Sequence, residues 1–261
     1  MVDIPLLQVQ NLTISNSAQN NEPLVEGVSF DLATNQRLGL IGRSGCGKSL
    51  ICHAITGALR APLEASSGSI RFQGKDLLAM PFAEKQQIRG TGIFCIFQSP
   101  GSALHPSLTI ETQLLETARN LSLNGQAAHH ALLQALEAVS LPQHCLKQYP
   151  NALSGGMKQR VMMAMALILK PTVLIADEPT TGLDVITEHE TLQALNVVQQ
   201  ETGSALLFVS HDLRIVRKTC TSVLVMDAGQ LVDACDLNQP VAPDCHHATA
   251  EITRAMERLQ L

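Results

Sequence analysis

The chain is poor in aromatic residues and has no long apolar run. Its 261 residues include no tryptophan, one tyrosine and six phenylalanines. No stretch approaches the ~18 uncharged apolar residues that a membrane-spanning helix needs. Residues 1–5 lack the basic and apolar segments of a secretory signal. These absences argue against a transmembrane helix and predict a cytoplasmic protein.

An excess of positive charge and paired cysteines are missing as well. The net charge of −5 predicts no nucleic-acid partner, because surfaces that bind nucleic acids are usually basic. The seven cysteines form no C-x-x-C pair, so we expect most of them to be small buried hydrophobic residues. A loose C-terminal cluster matches no compact metal-binding template and its role stays open: Cys235, Cys245, His246 and His247.

Short apolar runs, each followed by a polar or glycine-rich turn, predict an α/β fold. Such runs suit strands that are buried on both faces of a parallel sheet, and they lie at 37–41, 92–97, 172–176 and 205–209. Residues 222–232 predict an antiparallel hairpin that turns at Ala228-Gly229. Residues 6–32 alternate more loosely and predict a further antiparallel piece.

A helical insertion is predicted over about residues 99–165, where the strand pattern is absent. Apolar residues recur there at helical spacing in 110–121 and 128–140. Ser154 stands at the N-cap position of a third apolar segment, 157–169, whose methionines we interpret as core residues. The chain is long enough for one substantial core that carries such an inserted subdomain.

The segment after the strand predicted at 37–41 has the pattern of a phosphate-binding loop. Its glycines let backbone N–H groups turn towards phosphate oxygens, and the helix that follows adds its positive N-terminal dipole. Lys48 is predicted to reach the β- and γ-phosphates, and the Ser49 hydroxyl to ligate Mg²⁺. The sequence therefore predicts ATP and Mg²⁺ as ligands of this segment, which is Gly42, Arg43, Ser44, Gly45, Cys46, Gly47, Lys48 and Ser49.

Three of the predicted strands end in polar residues that suit hydrolysis of a bound nucleotide. Asp177 is predicted to hold Mg²⁺, and Glu178 to polarise or deprotonate the attacking water. Gln98 is predicted to contact both Mg²⁺ and that water. His211 is predicted to donate to the γ-phosphate and to orient Glu178. The predicted catalytic residues are thus Lys48, Gln98, Glu178 and His211.

Six elements occur in the order typical of one family. They are the phosphate loop, Gln98, the signature segment Leu153–Met157, the pair Asp177-Glu178, Asp184 and His211. Over about residues 6–235 the chain resembles the nucleotide-binding subunits of ATP-binding-cassette (ABC) transporters. The resemblance implies a P-loop ABC-type domain over 1–235, with a RecA-like parallel-sheet core, an antiparallel β-subdomain and the inserted α-helical subdomain. A short tail follows at 236–261.

The resemblance also implies partners and a location. In this family two cassettes bind head to tail, so that Ser154, Gly155 and Gly156 contact the γ-phosphate held by the other subunit. Asp184 lies where a loop communicates with that subunit, which is a paralogue or an identical chain. Two transmembrane permease subunits and, indirectly, an extracytoplasmic solute-binding protein complete the transporter. The chain would then lie peripherally at the cytoplasmic face of the cell membrane.

A finer resemblance narrows the cargo. Residues 97–100, 104–106 and 108–110 (Phe-Gln-Ser-Pro, Leu-His-Pro and Leu-Thr-Ile) resemble a stretch of peptide, opine and nickel importers, and Met157 is typical of the same group. Only about 25 residues follow the predicted hairpin. Short members of the group resemble nickel-uptake subunits, so nickel or a metal chelate is favoured, with a peptide or opine as the alternative.

One departure and two other classes of protein remain to be weighed. The family often stacks adenine on an aromatic residue, but residues 14–16 here are Ile-Ser-Asn, so the adenine contact is not predicted. A soluble ABC ATPase of DNA repair, translation or cluster assembly is disfavoured, because the chain has one cassette, no heptad run and no basic stripe. A switch without hydrolysis is disfavoured by Glu178 and His211.

Overall fold

The computed structural model describes residues 5–237, 239 and 246–250, and the chain divides into two compact units. One unit combines the residues up to Arg89 with those from Ala205 onward, and we call it the phosphate-loop unit. The other is Gly90–Ser204, which we call the helical unit. The insertion predicted at about 99–165 lies within the helical unit.

The described residues form strands in both units. In chain order they are β1 (Leu7–Asn16), β2 (Glu22–Leu32), β3 (Arg37–Gly42), β4 (Leu63–Phe72), β5 (Lys75–Asp76), β6 (Ile93–Ile96), β7 (Val173–Asp177), β8 (Ala205–Ser210), β9 (Ser222–Asp227) and β10 (Gln230–Asp236).

Helices carry most of the residues between the strands. In chain order they are α1 (Lys48–Thr56), α2 (Phe82–Ile88), α3 (Pro100–Ala103), α4 (Ile110–Arg119), α5 (Gly125–Ala138), α6 (Gly155–Leu169), α7 (Val185–Thr202) and α8 (Leu213–Thr219). Two short 3-10 helices, Gln143–Lys147 and Pro150–Ala152, precede α6. Within the described residues no helix is long and apolar enough to cross a membrane.

The phosphate-loop unit contains an antiparallel sheet in the order β2-β1-β4-β5. The apolar side chains of β1 are buried, with Leu7, Leu12 and Ile14 fully enclosed. This confirms the antiparallel piece predicted over 6–32. Strand β4 was not predicted, because its middle residues are polar and exposed and only its pairing with β1 makes it a strand.

The same unit holds four strands in the order β10-β9-β3-β8. Strand β3 runs parallel to both β8 and β9, and Gly39 pairs with Phe208 on one side and Val223 on the other. All of β8 and nearly all of β3 are buried, as expected for strands covered on both faces. Strands β9 and β10 form the predicted antiparallel hairpin.

In the helical unit, β6 and β7 pair in parallel and α6 supplies much of the core. Ten of the fifteen residues of α6 are buried. The predicted core role is confirmed for Met162 and Met163, whereas Met165, predicted with them, is half-buried. Helices α4, α5 and α7 each pack against α6. Tyr149, the residue that precedes the second 3-10 helix, is 51% exposed.

Candidate nucleotide site

The predicted phosphate loop connects the end of β3 to the start of α1. Gly47 has φ 105°, a left-handed conformation that favours glycine. A Cβ at this position would lie 2.7 Å from Val25 Cγ2 and 2.9 Å from Met226 Cε. The loop can therefore pass between Val25 and Met226 only because residue 47 has no side chain. Arg43, Ser44 and Gly45, earlier in the loop, are exposed.

Lys48 is the first residue of α1 and is only 4% exposed. Its Nζ donates to the carbonyl oxygens of Gly42 at 2.9 Å and Arg43 at 3.0 Å, so the loop wraps around the ammonium group. The N-cap of α1 is Gly47, which has no capping side chain. An anion can occupy the place of such a cap, where the helix dipole favours negative charge. These features fit a bound phosphate chain.

Cys46, inside the loop, is a buried neutral thiol. Burial raises its pKa, and the nearby Lys48 ammonium only partly offsets this effect. A thiol with a raised pKa is a poor nucleophile near neutral pH. We therefore assign Cys46 to the packing of the loop.

His211 lies in the turn between β8 and α8 and is exposed. Strands β3 and β8 are parallel neighbours in which Ile41 pairs with Ser210. The phosphate loop and His211 therefore leave the sheet at the same edge, which is where parallel sheets usually bind ligands.

Asp212 fixes the turn that carries His211. Its carboxylate accepts from the Arg214 backbone N–H at 2.9 Å and caps α8, and the Arg214 guanidinium also donates to it. Burial raises the pKa of Asp212, but the hydrogen bonds and charge of Arg214 outweigh that effect and hold the pKa below its usual value. The aspartate is thus ionised and structural at neutral pH.

In the helical unit, Asp177 is the last residue of β7 and Gln98 lies two residues after the parallel strand β6. Ile96 of β6 pairs with Ala176 of β7, so both polar residues lie at the same edge of this strand pair. Asp177 is 2% exposed. Burial, and then the negative charge of Asp177, raise the pKa of the Cys95 thiol well above its usual value. The Asp177 carboxylate thus places its charge at the buried end of the strand pair.

Glu178 has an unusual backbone conformation and a fixed side chain. Its φ is 46°, which is uncommon for a residue other than glycine and costs about 1 kcal/mol or more. The Thr181 hydroxyl donates to Glu178 Oε2 at 2.5 Å. Sequence reasoning missed Thr181, although a hydroxyl three residues after the acidic pair is a signal for such a contact.

The signature segment forms the N-terminus of α6. Ser154 is exposed, and its Oγ accepts from the Met157 N–H at 3.2 Å, which confirms the predicted N-cap. Gly155 is exposed as well, whereas Gly156 is buried against α7. A Cβ on Gly156 would lie 2.1 Å from Thr187 Cγ2, so no side chain fits there.

Asp184 is the N-cap of α7. Its carboxylate accepts from the backbone N–H groups of Thr187 at 3.0 Å and Ile186 at 3.1 Å, and from the Thr187 hydroxyl at 2.7 Å. The backbone and hydroxyl hydrogen bonds from Thr187 are the main cause of a lowered pKa of Asp184, and the hydrogen bond from Ile186 has a smaller effect in the same direction. Val185 and Ile186, which follow it, are large apolar residues that are exposed.

The predicted site residues all fall within the described part of the chain. The phosphate-loop unit holds Lys48, Ser49 and His211, and the helical unit holds Gln98, Ser154, Gly155, Gly156, Asp177, Glu178 and Asp184. The oxygen donors predicted for Mg²⁺ are of the kind that this ion prefers: Ser49, Gln98 and Asp177.

Comparison with known families agrees with this geometry. The profile of the family described as ABC transporter matches residues 25–181, which is more than half of the chain. The chain belongs to the ABC transporter family. It is an ATP-binding and ATP-hydrolysing domain of that family.

Two curated relatives illustrate the similarity. The chain is 39% identical over 231 residues to the metal-staphylopine import system ATP-binding protein CntD of Staphylococcus aureus (strain Mu50), covering 87% of this chain and 84% of CntD. It is 41% identical over 234 residues to the dipeptide transport ATP-binding protein DppD of Bacillus subtilis (strain 168), covering 87% of this chain and 70% of DppD.

Solved structures confirm the ABC-type P-loop fold. The dimeric ATP-binding cassette MJ0796, in a post-hydrolysis state bound to ADP and Pi, matches with a TM-score of 0.79 at 23% identity. The match covers 90% of this chain and 100% of that cassette. The protein cbiO1 of Clostridium perfringens, part of the ABC transporter complex cbiONQ, matches with a TM-score of 0.76 at 25% identity, over 98% and 96% of the two chains.

Proposed function

We propose that this chain is the ATP-hydrolysing subunit of an ABC importer that takes up nickel or a metal chelate. The observation that carries the importer proposal is the presence, in one chain, of a phosphate loop around a buried lysine and an exposed serine-capped signature segment. The relative CntD serves a metal-staphylopine import system, which supports a metal chelate as cargo. The similarly related DppD serves dipeptide transport, so a peptide is the second candidate.

ATP binding is proposed to use the loop from Gly42 to Ser49. Lys48 gives up its two carbonyl contacts and bonds the β- and γ-phosphates, which are stronger, charged acceptors. Ser49, Gln98 and Asp177 would hold Mg²⁺, which supplies charge neutralisation at the phosphates when bound. This arrangement explains why a buried lysine is kept at the start of a helix.

Hydrolysis is proposed to use Glu178 as the residue that orients and deprotonates the attacking water. The hydrogen bond from the Thr181 hydroxyl to Glu178 Oε2 would hold the carboxylate in a fixed orientation towards the water. His211 would donate to the γ-phosphate and stabilise the charge that develops there.

A second cassette is proposed to complete each site. Ser154 and Gly155 are exposed, so these two residues at the start of α6 are accessible to another molecule. In a head-to-tail dimer they would contact the γ-phosphate bound to the partner subunit, which is a paralogue or an identical chain. The two cassettes would serve two permease subunits at the cytoplasmic face of the membrane, with a solute-binding protein acting on the far side.

A groove of about 560 Å³ in the helical unit is a suitable docking place for a permease segment. Ala103, His105, Leu108 and Gln113 line it. The Gln113 side chain accepts from His105 N–H at 2.8 Å and donates to the Leu108 carbonyl at 3.0 Å, which fixes the loop before α4. A fixed loop can transmit a force from this helical unit to a bound segment.

The hydrolytic mechanism is tested by Glu178→Gln. We expect ATP hydrolysis to fall at least about a hundredfold while ATP binding persists, because the amide cannot accept the proton from water. An ATP-dependent dimer should accumulate and be seen by size-exclusion chromatography. The matched control is Glu201→Gln, an exposed position at the end of α7. Unchanged turnover in Glu178→Gln would refute the assignment of the base.

The cargo is tested by uptake in cells with and without the gene. Labelled nickel, nickel with a chelator and a labelled dipeptide are supplied separately. Loss of nickel or chelate uptake alone supports the metal proposal. Loss of dipeptide uptake alone would reject the metal cargo and retain the importer ATPase.

A further inference from the structure

Three side chains with metal-binding atoms converge in the phosphate-loop unit, and none of them belongs to the loop itself. They are Asp227 at the end of β9 and the consecutive histidines His246 and His247. One ligand atom from each lies within 4.8 Å of the other two. In the sequence the histidines stood out, but their carboxylate neighbour, about twenty positions earlier, did not.

The spacing of these groups is close to that of a coordination site. His247 Nε2 lies 3.5 Å from Asp227 Oδ2, and the two imidazole rings are 4.1 Å apart at an angle of 44°. Two ligands that bind one ion at 2.0–2.2 Å are themselves separated by roughly 3.0–3.5 Å. Small side-chain rotations would therefore bring all three groups onto one ion.

The segment that carries the histidines is held in place by hydrogen bonds of the His246 backbone and the Thr249 hydroxyl. Asp233 Oδ2, on β10, accepts from the His246 backbone N–H at 3.1 Å and from the Thr249 hydroxyl at 2.8 Å. Ala248 and Thr249 are buried. The segment is thus anchored on both sides of His247, and the imidazoles stay near Asp227 without a metal.

We propose that Asp227, His246 and His247 bind one divalent transition-metal ion of the class that prefers imidazole, such as Ni²⁺, Zn²⁺ or Co²⁺. Two imidazoles and one carboxylate suit these ions, whereas Mg²⁺ prefers oxygen ligands alone. Three protein ligands leave further positions for water. The His247 side chain is 70% exposed, so an ion can reach the site from solvent.

One existing contact changes when the site is filled. The Ala248 N–H donates to His246 Nδ1 at 3.3 Å, a long hydrogen bond. Binding through Nδ1 replaces this bond, and binding through Nε2 requires the proton to move to Nδ1. Either change costs little compared with coordination. The His246 ring therefore remains available as a ligand.

The proposal is tested by titrating Ni²⁺ into the full-length, tag-free and fully reduced protein, without nucleotide and with excess Mg²⁺. Isothermal titration calorimetry should show one Ni²⁺ per chain. His247→Ala and Asp227→Asn should each weaken binding at least about tenfold, and His246→Ala combined with His247→Ala should abolish it. The visible absorption of bound Co²⁺ should change little by little through the same series of variants, with the largest change in the double variant, because this absorption depends directly on the ligands of the ion.

The chain offers a matched control in His129 and His130. These are also consecutive histidines, and both are exposed on α5. Replacing both by alanine should leave Ni²⁺ affinity within about twofold, which is the scatter between surface substitutions. Circular dichroism confirms that each variant is folded, and His247→Ala is the safest variant because that side chain is largely in solvent.

Two results would overturn the proposal: no Ni²⁺ binding by the wild-type chain, or equal binding by the wild type and the His246/His247 double variant. In the first case the contact of His247 with Asp227 is an ordinary surface pair, and in the second the ion binds elsewhere. The measurement contains no nucleotide, so neither result bears on the proposed importer ATPase.

Discussion

Two helix N-termini in this molecule are capped in opposite ways. At α1 the N-cap is Gly47, a position that no side chain can occupy, and Lys48 is buried inside the loop that precedes it. At α6 the N-cap is Ser154, whose side chain caps the helix and is exposed. The first is a concave site built from its own backbone. The second is exposed, and we propose that it acts when another molecule is placed against it.

The comparison teaches that burial, more than residue type, separates the two roles. Both segments are rich in glycine and contain a serine, so composition alone makes them look alike. The buried ammonium at α1 can bind a phosphate within one chain, whereas the exposed serine at α6 has no concave surface of its own. Substitutions at α1 should therefore impair ATP binding by the monomer, whereas substitutions at Ser154 should impair hydrolysis and leave that binding intact.

The largest effect is expected from Lys48→Ala. Removing the charge that is proposed to contact the phosphates should lower ATP hydrolysis at least about a hundredfold and weaken ATP binding by the monomer. The measurements are ATPase rates and binding of a fluorescent ATP analogue. Lys75→Ala, an exposed lysine on β5, is the control and should leave both unchanged. Normal ATP turnover by Lys48→Ala would show that the phosphate loop is not part of the nucleotide site.

Three variants of Ser154 separate its two roles. Ser154→Ala should lower hydrolysis about tenfold to a hundredfold, with monomer ATP binding retained and a stability loss of about 1 kcal/mol from the missing cap. Ser154→Asn keeps the cap and should restore stability. Ser154→Asp keeps the cap but places a negative charge against the γ-phosphate, so it should be stable and inactive. If Ser154→Ala lost ATP binding to the same degree as Lys48→Ala, the two-subunit site would be rejected.

The two glycines of the signature segment should differ in what they break. Gly156→Ala places a methyl group into Thr187 Cγ2 and should destabilise the fold by about 1–3 kcal/mol, measured by chemical unfolding. At Gly155 a Cβ would lie 3.6 Å from Leu183 Cδ2, which is an ordinary contact, so Gly155→Ala should be stable. A loss of ATP hydrolysis in this variant would then reflect a role of Gly155 in the reaction and not unfolding.

A second substitution tests the proposed clash at Gly156. Thr187→Ser removes Cγ2 but keeps the hydroxyl that donates to Asp184. In the Gly156→Ala background it should recover most of the lost stability. Equal instability of the single and double variants would show that the glycine is needed for another reason.

The smallest effect concerns pH and Asp184. Its folded-state pKa is lowered, so the ionised carboxylate stabilises the start of α7 above the ordinary aspartate pKa of about 4. This stabilisation is lost as the pH falls through the lower folded-state pKa. Asp184→Asn keeps a capping oxygen without the charge. The melting temperature of the wild type should exceed that of the variant at neutral pH, and the difference should vanish in strong acid.

Much of the fold could be predicted because its strands carry their own signal. The runs at 37–41, 172–176 and 205–209 are buried on both faces, and the site residues directly follow them. The phosphate loop could be predicted from residue type because each position has a separate physical role. The N-cap at Ser154 followed from local sequence in the same way.

What escaped prediction depends on contacts between distant residues. Strand β4 is polar along most of its length, and its pairing with β1 makes it a strand. The close approach of Gly156 to Thr187 joins two helices that the sequence separates by about thirty positions. Asp227 joins His246 and His247 only because residues 246–247 lie beside the end of β9. Contacts between residues so far apart in the sequence leave no local sequence pattern.

The single tyrosine has a practical consequence for spectroscopy. Tyr149 is half exposed and immediately precedes the short helix that leads to the signature segment, and the chain has no tryptophan. Its ultraviolet emission is therefore almost free of background from the rest of the protein. If a second cassette covers the signature segment, as proposed, the solvent around this ring should change. The unlabelled wild-type chain thus contains its own optical reporter for the proposed closure of an ATP-bound dimer.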